Sequence, residues 1–269
     1  MSASPSLAVV SPAAQPRPQF LRINGQPQRE YYVLLPTRLR PGAEPLVLVH
    51  GISRNAAELV VRFAALAEEC GVPLIAPLFR REAYGQYQQV IDPKSDIGSD
   101  KALDDILKDA TARFGLNTRQ IALFGFSGGA QFAHRYALIH PKRVRACVPA
   151  SAGWYTMPDP DLAWPLGLAG MPGGPLDPGA QAVPFHLIVG QRDRRDDDAL
   201  RRSAELDALQ GINRHARAKS WHRALRRAGW NAASSLTVLP RTRHNFSCAH
   251  RNGLIETVFR LLEYKGPDQ

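Results

Sequence analysis

The chain has 269 residues, 44% of them hydrophobic and 22% charged, a globular balance that suits one large core and excludes collagenous, coiled and low-hydrophobicity chains. Its formal net charge is +10, but the basic residues are mostly scattered arginines, and the densest group (Arg192, Arg194, Arg195, Arg201, Arg202) stands beside Asp196, Asp197 and Asp198; without a recognition motif this reads as a mixed-charge surface, and no nucleic-acid partner is expected. No apolar run approaches the ~18 residues that span a bilayer, so no membrane partner is expected, and three cysteines without a close pair (Cys70, Cys147, Cys248) suit a reducing, cytoplasmic location better than a disulfide scaffold, a secreted form being the alternative.

Residues 1–18 are rich in Ser, Ala, Pro and Gln, with one apolar patch at 7–10 and no basic residue before it. A secretory leader needs a charged start and an apolar stretch of ~7–15 residues, so this segment reads as a disordered tail. Residues 19–269 then form a single domain. A strand is predicted at 31–35, closed by Pro36, and a second at 46–50, where Leu-Val-Leu-Val runs into His50. Short, wholly apolar runs suit buried parallel strands. Residues 55–70 read as a helix with Leu59, Phe63, Leu66 and Cys70 on one face and Gly71 as its stop. A strand at 72–76 leads into a long loop, 77–100. Leu103, Ile106, Leu107, Ala110 and Phe114 mark the next helix.

Strand 120–126, helix 129–139 and strand 144–149 follow. Residues 151–183 break the rhythm, dense in Pro and Gly and holding Trp154, Tyr155, Met157 and Trp164; they read as a cap-like insertion. The strand pattern resumes at 185–189. One or two helices fill 198–229, broken near Gly211, before a last strand at 236–239 and a last helix at 254–264. Alternating strands and helices imply a mostly parallel α/β sheet with helices on both faces. Ligands bind such sheets beyond the carboxyl ends of the strands.

Gly125-Phe126-Ser127-Gly128-Gly129 falls between a predicted strand and a predicted helix. Gly-x-Ser-x-Gly there is the pattern of a nucleophile elbow, whose glycines let strand and helix approach while the serine hydroxyl stands exposed. A serine hydroxyl needs a base, and the base needs an orienting acid. Asp193 follows strand 185–189, with Asp196 and Asp197 as rivals. His244 follows strand 236–239, with His250 as the rival. His50, His134, His140 and His186 read as structural. His50-Gly51-Ile52 ends a buried strand, and the backbone N–H groups of Ile52 and Gly128 are the candidate oxyanion donors, Ser53 being the alternative to Ile52.

Together the His50-Gly51 loop, the Gly125 to Gly129 elbow, Asp193 and His244 resemble the α/β-hydrolases over nearly the whole chain. His50-Gly51-Ile52-Ser53-Arg54-Asn55-Ala56 and Ser151-Ala152-Gly153-Trp154-Tyr155-Thr156 are most similar to the esterase and polyhydroxybutyrate-depolymerase-like group. The resemblance implies an α/β-hydrolase fold, the insertion following its sixth strand, and a serine esterase with catalytic Ser127, Asp193 and His244, working through an acyl-enzyme. Its partner would be a small or oligomeric ester. Trp154 and Tyr155 are candidate substrate-binding residues, with anchoring of the loop as the alternative. A serine peptidase or thioesterase, or a non-catalytic binding member of the fold, are the competing readings. Neither a Cys/His cluster at ligand spacing nor a phosphate-binding glycine loop appears, so no metal and no cofactor are expected.

Overall fold

The computed structural model describes residues 16–90, 98–195, 197–230 and 234–266. Most of the expected N-terminal tail lies outside the described residues. The first strands form a hairpin, β1 (Gln19–Ile23) and β2 (Gln26–Leu34), turning at Asn24-Gly25 with Gly25 at φ 73°. Only the second half of β2 was legible as a strand, because Gln26 to Glu30 is polar. The Asn-Gly pair was the signal for the rest.

The remaining elements alternate: β3 (Leu46–Val49), α1 (Ala56–Cys70), β4 (Leu74–Leu78), α2 (Ser99–Phe114), β5 (Ile121–Phe126), α3 (Gly128–Ile139), β6 (Val144–Ala150), β7 (His186–Gly190), α4 (Ala204–Gln210), α5 (Arg214–Arg227), β8 (Ser235–Leu239), α6 (Phe246–Arg251) and α7 (Leu254–Leu261). The sheet runs β1-β2-β4-β3-β5-β6-β7-β8. The β1–β2 and β2–β4 pairs are antiparallel, and every other pair is parallel.

Strand β5 shows why the sheet is covered twice. Its six residues are all buried, and alternate side chains leave opposite faces. Ile121 and Leu123 join a core layer with Leu103, Phe132 and Trp221 from α2, α3 and α5. Ala122, Phe124 and Phe126 join the other, with Phe63 of α1 and Val258 and Phe259 of α7. Each buried phenylalanine contributes about 1.5–3 kcal/mol.

Local chemistry fixes the helix ends. Gly71 (φ 65°) and Gly115 (φ 66°) close α1 and α2 in the left-handed conformation. Ser203, Asn213 and Asn245 cap α4, α5 and α6 through their side chains. Helix α6 went unread in the sequence because it is a short, capped turn whose periodicity is too brief to register. The insertion after β6 is irregular, and its Met157, Met171 and Val183 pack into the layer containing α2, α3 and α5. Among the described residues no helix is long and apolar enough to cross a membrane, and the three cysteines are free.

Candidate active site

Ser127 stands between β5 and α3 with φ 57° and ψ −112°. A non-glycine residue there costs on the order of 1–3 kcal/mol and persists only when its surroundings enforce it. They do. The Ser127 N–H donates to Ala150 O at 2.9 Å, and the flanking glycines allow contacts that no side chain permits. A Cβ on Gly125 would lie 2.1 Å from Gly129 O, and one on Gly129 would lie 2.0 Å from Val49 O.

His244 sits in the turn between β8 and α6, its ring stacked on Phe126 at 5.4 Å. The turn is pinned to the end of β7. Arg192 N–H donates to Thr242 O at 2.8 Å, and a Cβ on Gly190 would approach that oxygen to 2.4 Å. The same clasp brings Asp193 under the histidine. Asp193 Oδ2 lies 2.9 Å from His244 Nδ1, and Ser127 Oγ lies 3.0 Å from His244 Nε2. An ionised carboxylate only accepts, so it holds the imidazole proton on Nδ1 and leaves the Nε2 lone pair facing the serine hydroxyl. Asp193 is 1% exposed. Asp197 faces Arg214 instead, whose hydrogen bonds are the main reason its carboxyl titrates below the usual range. Asp196 lies outside the described residues. His250, the rival base, contacts Arg62 Nη1 at 3.1 Å.

The β3–α1 loop carries Ile52 to the elbow. A Cβ on Gly128 would lie 3.0 Å from Ile52 Cγ2 and 3.4 Å from Ile52 N, so the two candidate donor residues are close neighbours beside Ser127. Ser53 Oγ is turned to Asn55. His50 braces this loop. Phe79 N–H donates to its Nε2 at 3.0 Å, so its proton sits on Nδ1 and is donated to Gly51 O at 2.8 Å. Burial depresses its pKa to about 4, leaving it neutral. Tyr87 donates to His50 O at 2.7 Å. Arg54 holds the loop through the carbonyls of Ile52 and Phe79, and Arg80 pairs with Glu30. Tyr87 was not legible as part of the site, since nothing local in the sequence links it to residues 50–52; Arg54 lies in the His50 to Ala56 run, but its bond to Phe79 O is a long-range contact.

A cleft of about 300 Å³ opens over Ser127 and His244, lined also by Ile52, Glu58, Phe126 and Phe246. Trp154 and Tyr155, the candidate substrate-binding residues, are not among the residues that line it. Tyr155 is fully buried, stacked on Trp221 at 4.6 Å. Its backbone N–H and C=O both bond the Gln210 side chain. Trp154 is 5% exposed, with the Arg135 guanidinium 4.0 Å from its ring centroid and that of Arg201 at 5.1 Å. It lines a separate cavity of about 230 Å³ with Leu162, Trp164 and Leu206. The pull is tertiary, since Trp221 on α5 covers this loop and donates to Thr156 O at 2.7 Å. Among the described residues no group of three His, Cys, Asp or Glu side chains is placed to hold a metal ion.

A mostly parallel eight-stranded sheet, an elbow serine after β5, and an acid and a histidine after β7 and β8 define the α/β-hydrolase fold, and the chain has that fold. Neither a protein-family model nor a curated protein matches the sequence. Solved structures do. Poly(aspartic acid) hydrolase-1 from Sphingomonas sp. KT-1 superposes with a TM-score of 0.76 at 23% identity, over 91% of this chain and 98% of that one. The poly(3-hydroxybutyrate) depolymerase from Bordetella parapertussis gives 0.74 at 22% identity, over 94% and 92%. An S-formylglutathione hydrolase from Agrobacterium tumefaciens gives 0.62 at 15%, over 95% and 98%. The depolymerase-like group that the sequence resembles is thus represented among its structural neighbours.

Proposed function

We propose that this protein is a serine hydrolase that cleaves carboxylic esters in two acyl-transfer steps. One observation carries the reading: the unbroken hydrogen-bonded chain from Asp193 through His244 to Ser127 at the floor of an open cleft. In the first step His244 Nε2 takes the Ser127 proton while Oγ bonds to the substrate carbonyl carbon. The resulting oxyanion is held by the N–H groups of Ile52 and Gly128, each worth about 3 kcal/mol on the usual mutational scale. The start of α3 adds a favourable field. The imidazolium passes its proton to the departing alkoxide, leaving an acyl-Ser127. Water, activated by His244, then releases the acid and restores the serine. Asp193 keeps the imidazole in the required tautomer and stabilises its charged form.

The three free cysteines support a reducing, cytoplasmic location. A second reading, amide hydrolysis in an acidic polymer, is favoured by the net charge of +10 and by the poly(aspartic acid) hydrolase among the neighbours. A panel of p-nitrophenyl esters of increasing chain length, a thioester and poly(aspartic acid) separates these readings. Ester turnover abolished by Ser127→Ala supports the proposal. Full ester activity in that variant sinks it, and turnover of the polyamide alone selects the second reading.

A further inference from the structure

Asp193 commits only one oxygen to His244. The other, Oδ1, is buried and has no hydrogen-bond donor among the described residues. The nearby cation is Arg214 Nη1, 3.8 Å away. Arg214 is as buried as Asp193, at the first turn of α5, and among the described residues its Nε also lacks a partner. Its two terminal nitrogens grip Asp197 end-on at 2.5 and 2.9 Å, and that carboxylate is 37% exposed. A buried cation therefore lies between two carboxylates, bonded to the outer one and only near the inner one.

The physical consequence is specific. A lone buried carboxylate is costly unless a cation stands close. A guanidinium bonded directly to Asp193 would compete with His244 for the carboxylate charge. At 3.8 Å Arg214 supplies charge without a hydrogen bond, and Asp197 holds it there. We infer that Arg214 and Asp197 are a positioning pair for the acid of the triad: Arg214 sets its charge beside Asp193 without bonding to it, and Asp197 holds Arg214 at that distance, so that the pair tunes His244 as a base through Asp193. This rests on the acyl-transfer reading of Ser127.

Other groups around Asp193 do not blur the test. From α5, His215 donates its backbone N–H to Asp193 O at 3.0 Å, and burial, with Arg194 and Lys219 nearby, lowers the pKa of its ring. From the loop after β6, the Tyr155 hydroxyl is kept protonated by burial. On the same loop as Asp193, Arg194 is exposed.

The test is the pH profile of kcat/KM for p-nitrophenyl acetate, paired with the rate of Ser127 labelling by a fluorophosphonate. Asp197→Asn frees Arg214 to close on Asp193, and the acid limb moves down by about one pH unit with a lower kcat and unchanged KM. Arg214→Gln removes the cation, and the limb moves up by about as much. Arg214→Lys keeps the charge and stays near wild type. Shifts in opposite directions are beyond a merely structural role. Asp197→Asn and Arg214→Gln limbs that superimpose on wild type, or that move together, overturn the inference. If Arg214→Gln does not fold, the downward shift of Asp197→Asn, absent from Arg214→Lys, still decides it. A wild type that fails to label at Ser127 overturns the acyl-transfer reading first, and the role of the pair with it.

Discussion

His50 makes the oxyanion loop sensitive to acid. Its ring is fully buried, donates from Nδ1 to Gly51 O and accepts at Nε2 from Phe79 N–H. Protonation would turn that acceptor into a second donor facing an N–H. Burial lowers the pKa from 6.5 to about 4. A depressed folded-state value means that the unfolded chain takes the proton first as pH falls. The contribution is therefore whole above pH 6.5 and is lost as pH drops toward 4. Over the full window that amounts to about 3 kcal/mol, and at pH 5 to about 2 kcal/mol. Urea unfolding midpoints of wild type and His50→Asn at pH 7.5, 6, 5 and 4.5 isolate the term, because other groups titrate in both. The variant starts less stable, since Phe79 N–H loses its acceptor, but its stability falls less steeply with acid. Parallel curves for the two proteins across pH 6.5 to 4.5 would refute the reasoning.

The elbow makes a sharper steric prediction. Gly129→Ala loses more than about 3 kcal/mol or does not fold, because its Cβ would meet Val49 O and His50 O at 2.0 and 2.6 Å. Gly51→Ala, whose Cβ has nothing nearer than 3.5 Å, changes the urea midpoint by less than about 1 kcal/mol. Trp221→Ala costs about 3–5 kcal/mol in Tm or urea measurements, since it removes a buried ring stacked on Tyr155 and the donor to Thr156 O. Asp193→Asn lowers kcat for ester hydrolysis by about 10⁴-fold with the fold intact, because the amide donates to Nδ1 and reverses the tautomer. A loss below tenfold would show that this carboxylate does not orient the base.

The features legible in the sequence were local ones. A Gly-x-Ser-x-Gly run between a wholly apolar strand and a helix leaves the backbone few options, because residues 125 and 129 touch neighbouring carbonyls that any side chain would strike. The apolar runs of β3 and β5 to β7 likewise announced buried parallel strands, and Asp193 and His244 stood just past strand ends. Tertiary structure alone decided between carboxylates four positions apart. Asp193 and Asp197 follow the same strand, and they part because Arg214, on a helix that no local pattern ties to this loop, takes Asp197 and leaves Asp193 to the histidine. The same distance in sequence hid the fate of Tyr155, whose burial comes from Trp221, and the roles of His50, Arg54 and Tyr87 in bracing one loop. Periodicity reports which face of an element is apolar. Which partner meets that face is set only when the chain closes on itself.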